Sequence, residues 1–218
     1  MKIIKQFTSD NWQGSYYELS IQLSSKPNID KIIKTLNIIF NECGIKGPFI
    51  DNSCFENKAE LTEVHIIDVT ILYGLVIIEN IELGVVIDIV REEKNDWISI
   101  SFPTGMIEKS FAVKYPFYQK TNPWIKIIDS FFINLCKSIS KYIEIEIAFI
   151  GEEISCYIPE NEVTKEIIER GGIIVNKSTY ERNKMIGKII KIDNELYYIP
   201  PKEMLNITYG KNPTIAST

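Results

Sequence analysis

The sequence predicts an α+β fold, a mostly antiparallel, twisted sheet with two long helices packed on one face, and three observations carry that prediction. Apolar residues recur at helical spacing in two long stretches, Ile29, Ile32, Ile33, Leu36, Ile39, Phe40, Cys43 and Ile125, Ile128, Phe132, Leu135, Cys136, Ile139. Elsewhere the period is two, as in Tyr17, Leu19, Ile21, Leu23 against Tyr16, Glu18, Ser20, Gln22. Between Glu60 and Phe102 strand-like segments follow one another with no helix between them. A parallel sheet would lack its crossover helices there.

In chain order, Lys2 to Phe7 reads as a short leading strand and Ser15 to Ser24 as a strand with one core face and one wet face. Asn28 supplies a cap for the first helix and Gly44 a favoured stop. Ile45 to Glu60, with Gly47, Pro48, Asp51 and Asn52, reads as a loop with Phe49 and Phe55 tucked inward. A meander follows, in which His65, Ile67, Val69, Ile71 and Tyr73 share one face. The turn Glu92 to Asp96 joins its last two strands as a hairpin, and Ile98, Ile100 and Phe102 are core-facing. That phase puts Trp97 with Ser99 and Ser101, so a partly exposed tryptophan is expected.

Thr104 to Phe111 then reads as a short helix and Ala112 to Tyr118 as an extended piece broken by Pro116. Asn122 as cap and Pro123 at the first helical position open the second long helix, which feeds a strand from Ile143 to Phe149. A third helix is expected over Pro159 to Arg170, a strand over Ile173 to Val175, and a last hairpin over Lys188 to Ile199. Residues 1–200 thus read as one domain, with 201–218 a polar tail. Strand, helix and strand occur twice, which allows two similar halves, about 1–110 and 111–200.

Hydrophobic content of 45% with 24% charge belongs to a globular chain and excludes a disordered one. About 43 isoleucines against about four alanines point to AT-rich, bacterial coding. Net charge is −5 and no lysine or arginine stripe is present, so a nucleic-acid partner is not expected. The hydrophobic window Ile71 to Val90 is interrupted by Glu79, Asn80, Glu82 and Asp88, which argues against a membrane partner. The first residues lack the apolar run of an export signal, so a cytoplasmic location is expected. Cys43, Cys54, Cys136 and Cys156 have no metal spacing and read as reduced thiols.

His65 is the sole histidine and has no ligand spacing around it, and no phosphate-cradling glycine loop occurs, so neither a metal nor a cofactor is expected. Glu152 and Glu153 stand where a buried strand runs out, the best carboxylate candidates for a cleft. Asp68 and Asp88 lie on strand faces where either could turn inward. Tyr16 and Trp97 fall on the polar phases of their strands, where aromatic side chains serve as binding anchors. The expected binding residues are therefore Tyr16, Trp97, Ser99, Ser101, Glu152 and Glu153. The function these residues suit best is a non-enzymatic protein-protein interaction module, an inhibitor or immunity-type protein whose partner is another protein. The alternative is a small-molecule-binding protein or hydrolase-like enzyme using carboxylates at a sheet-edge cleft.

Overall fold

The alternating run that begins at Tyr16 becomes the middle of a sheet. The structure, a computed structural model, describes residues 9–24, 26–53, 55, 58–62, 64–154, 172–183, 189–193 and 195–201. Along the chain lie β1 (Tyr16–Ser24), α1 (Ile29–Asn41), β2 (Ile45–Phe49), β3 (Val69–Ile78), β4 (Ile81–Arg91) and β5 (Asp96–Pro103). They are followed by α2 (Thr104–Ser110), α3 (Trp124–Ser140), β6 (Ile147–Glu152), β7 (Gly172–Asn176), α4 (Lys177–Asn183), β8 (Ile190–Lys191) and β9 (Leu196–Ile199). The nine strands form one sheet in the order β2-β3-β4-β5-β1-β6-β7-β9-β8, and every neighbouring pair is antiparallel. With the four α-helices among the described residues this is an α+β architecture.

β1 sits between β5 and β6, so both of its hydrogen-bonding edges are paired. Tyr17, Leu19, Ile21 and Leu23 join Ile87, Ile89, Ile98, Ile100, Ala148, Ile150 and Ile174 in the larger core cluster. α1 and α3 touch each other and bury Ile32, Leu36, Ile39, Ile128, Phe132, Leu135 and Ile139 in that same cluster. Each such side chain withdrawn from water contributes about 1.5 to 3 kcal/mol. The Asn28 side chain accepts hydrogen bonds from the backbone N–H groups of Asp30 and Lys31, the expected cap on α1. A buried Asp96 carboxylate accepts from the Asn28 backbone N–H and from Arg91, which ties that cap to the β4-β5 hairpin.

The other face of the sheet holds a second cluster, Trp97, Ile147, Phe149, Ile173, Val175 and Ile199. This corrects the expectation of a wet face on β1, because Ser20 and Gln22 are buried on it. Ile147 and Phe149 lie on this face, opposite the side that carries Phe132. Trp97 and Phe149 stand on the two strands flanking β1, yet their rings stack with centroids 6.4 Å apart. Two strand spacings amount to about 9.6 Å, so the rings lean towards each other over β1. Short or slender side chains are required beneath them, and Ser20 fills that role.

Several local expectations are corrected. Ile45–Phe49, read as loop because of Gly47 and Pro48, is strand β2, and its place at the sheet edge explains why a proline is tolerated. β3 begins at Val69, so His65 and Ile67 precede it. Ala112 to Tyr118 forms no strand. Asn122 does not cap α3; it is buried, accepts from the Lys114 backbone N–H and the Trp124 indole, and donates to the carbonyls of Lys114 and Tyr118. Its amide therefore closes the loop before the helix. The strand after α3 starts at Ile147; Ile143 and Ile145 are buried but not in it. Lys177–Asn183, unassigned from sequence, is helix α4. The leading strand at 2–7, the helix at 159–170 and the tail after 201 lie outside the described residues.

Cys136 is buried and Cys43 half-buried, both free, and burial pushes both thiols up. Cys54 and Cys156 lie outside the described residues. Native protein treated with iodoacetamide is expected to leave Cys136 unlabelled, while denaturation without reductant should expose four reactive thiols. Fewer than four labels on the denatured chain would reveal a disulfide and defeat the reduced-thiol reading.

Candidate functional site

Strand register gathers the polar phases of β1, β4 and β5 and the outer phase of β3 onto one surface. Ile71 pairs with Asp88, Asp88 with Ser99, and Ser99 with Ser20. The next row runs from Tyr73 through Val86 and Ser101 to Glu18. Because alternation repeats every two residues, these two rows face the same side. The Ser99 hydroxyl donates to Ser20 at 3.0 Å and the Ser101 hydroxyl to the Glu18 carboxylate at 3.2 Å.

Exposure divides this face into regions. Trp97 has 0% of its surface exposed, Ser99 4% and Ser101 1%, so the expected open tryptophan surface is closed. The physical reason is the stack on Phe149 described above, which turns a strand's polar phase into core. Towards β3 the same face opens, with Val69 55% and Ile71 48% exposed, and at the start of β1 Tyr16 is 36% exposed. Tyr73 is half-buried there and meets Trp12 edge-on at 5.4 Å. Trp12 reaches this face because residue 84 is glycine; a Cβ at Gly84 would stand 2.5 Å from the indole Cη2.

Asp88 lies among Ile71, Val86 and Val90, and burial raises its carboxyl to about 6. It has no hydrogen-bond or ionic partner among the described residues. The Tyr16 hydroxyl is raised by burial and then by Asp88, Tyr73 and Glu18; that of Tyr73 is raised by burial, Asp88 and Asp51. Two tyrosines and the acids thus share one field. Sequence phase flags Tyr16 and Asp88 separately, but only the β3-β4 register brings Ile71 and Tyr73 to Asp88. Asp68, expected on a strand face, lies one residue before β3 and is exposed.

The two glutamates do not act together. Glu152 pairs with Tyr17, on the face of Leu19, and accepts a hydrogen bond from Ser15 at 3.2 Å. Glu153 follows with φ +41, its backbone N–H bonded to the Tyr16 carbonyl. Beneath Glu152, however, lies a buried acid that periodicity hid within an apolar helix. Asp129 of α3 accepts the Tyr17 hydroxyl proton at 2.6 Å, and burial raises its carboxyl to about 7 against the lowering effect of that bond.

Among the described residues no group of three or more histidine, cysteine or acidic side chains could hold a metal ion, and no described helix is long and apolar enough to cross a membrane. Comparison with protein-family models, curated proteins and solved structures finds no match to this chain.

Proposed function

We propose that this protein is a non-enzymatic interaction module of a bacterial cytoplasm, an inhibitor or immunity-type protein that acts by holding another protein. In this reading both long helices cover one face of the twisted sheet, and the partner takes the open part of the other. The observation that supports it is the exposed apolar stripe of β3, Val69 and Ile71, which continues along the same phase of the strand to the half-buried Tyr73. Apolar residues with flanking tyrosines are the usual anchors of protein interfaces.

Ile71→Lys tests it, because the side chain is half exposed and a lysine there can reach water. Loss of about 2 kcal/mol at an anchor corresponds to roughly thirtyfold weaker capture of a native partner in extract. The melting temperature should stay within about 3 °C of the parent. Capture of the same protein at undiminished yield would remove this surface from the interface.

A second reading, a small-molecule binder or hydrolase-like enzyme using carboxylates, has one observation on its side. An open cleft of about 330 Å³ is lined by Asp30, Lys31, Lys34, Tyr142, Ile143 and Glu144. Lys34 already bonds the Tyr142 carbonyl at 3.3 Å and lies over its ring. The acids and lysines of that cleft balance each other, which leaves less charge for a ligand than the outer face of β3 and β4 offers.

A further inference from the structure

Resting on the protein-binding reading, the outer face of β3 and β4 also carries information about the partner's chemistry. A carboxylate whose water is displaced by Ile71, Val86 and Val90 is held at a cost that a matching cation would offset. The neighbouring Ser99 hydroxyl gives its proton to Ser20. The charged groups acting on Tyr16 and Tyr73 are all acids, namely Asp88, Glu18 and Asp51. The patch is therefore negative at its centre and apolar along its β3 side. Tyrosine rings beside a carboxylate favour an ammonium or guanidinium group.

The geometry points to a cationic anchor: the partner of this face presents a lysine or arginine that seats on Asp88 beside Tyr73, with apolar residues next to it resting on Val69 and Ile71. A second copy of this chain docked face to face would set Asp88 against the same acids, and like charges across an interface repel. An acidic partner is disfavoured for the same reason.

The probe is an alternating leucine-arginine hexapeptide, with a leucine-glutamate twin as control, titrated into the full chain and followed by backbone NMR. At pH 7.5 the arginine peptide should shift the amides of Ile71, Tyr73 and Asp88, while the glutamate peptide should leave them in place. Asp88→Asn, which keeps the size of the side chain, should weaken binding at least tenfold. Affinity of the parent should fall as pH drops from 7 to 5, since protonation removes the anion, and the variant should lack that dependence. Equal affinity of parent and Asp88→Asn, or shifts scattered over the surface, would overturn the cationic anchor. If Ile71→Lys abolishes capture of the native partner while Asp88→Asn retains it, the binding reading stands and the cationic anchor fails. If neither variant affects capture, both fail.

Discussion

Trp97→Ala is expected to destabilise the protein by about 3 to 5 kcal/mol, enough to leave a domain of ordinary stability largely unfolded near 37 °C. The indole is wholly buried in the smaller cluster and stacks on Phe149 at 6.4 Å. Removing it leaves a cavity between β5 and β6 that β1 cannot fill, because the residues beneath the ring are Gln22 and Ser20. The cavity would also admit water to the buried Ser20-Ser99 hydrogen bond. Trp97→Phe, which keeps a ring over β1, should recover more than half of the loss. Chemical denaturation followed by circular dichroism measures both. A Trp97→Ala protein with an unchanged denaturation midpoint would mean that the ring is not part of the core.

This expectation differs from the one the alternation of Trp97, Ser99 and Ser101 suggests, and the difference shows what periodicity can convey. A period of two tells which residues share a face; it does not tell whether that face is covered. Coverage depends on Phe149, on the far side of β1 and distant in sequence. α1 was readable in its cap and most of its stripe, since Asn28 and Leu36 obey short-range rules, although Ile33 is exposed and the helix ends at Asn41, before the left-handed Gly44. β2 was missed because glycine and proline normally punctuate loops, and only an edge position reconciles Pro48 with a strand.

The candidate site divides in the same way. Tyr16 was legible from its phase, whereas Asp68 and Asp88 stood equally open as inward acids. What selects Asp88 is its cross-strand neighbour Ile71, fixed by the β3-β4 register. That register is set by the two-residue turn at Glu79 and Asn80, whose φ angles of +46 and +67 suit the right-handed twist of a tight hairpin. Asn80 tolerates such an angle well; Glu79 does so less readily, and the turn was not predicted from it. Asp129 was hidden for a different reason. It lies among Ile125, Ile128 and Phe132 in a helix whose stripe is wide enough to bury a polar residue unnoticed.

Asp129 leads to the second large effect, a dependence of stability on pH. Its carboxyl is raised from an ordinary 3.8 to about 7, chiefly by burial, while the Tyr17 hydroxyl bond acts in the opposite sense. The groups that bear on it are Tyr17 of β1, Tyr198 of β9 and, through Tyr17, Glu152 of β6. None of these supplies a positive charge. The folded protein therefore holds this proton more tightly than the unfolded chain does. Between about pH 4 and 7 the folded state binds the extra proton, so this group's contribution to stability falls as pH rises and levels off above 7. The full span corresponds to roughly 4 kcal/mol, an order-of-magnitude figure from the shift in affinity. Asp129→Asn should abolish this part of the slope, because an amide oxygen can still accept from Tyr17 and no charge is buried. The variant should thus be more stable than the parent at pH 8 and closest to it near pH 4. Urea denaturation of both proteins across that range isolates the group, since every other carboxylate is common to the pair. Parallel profiles, or a variant less stable than the parent at pH 8, would show that Asp129 is ionised at no cost in the folded protein.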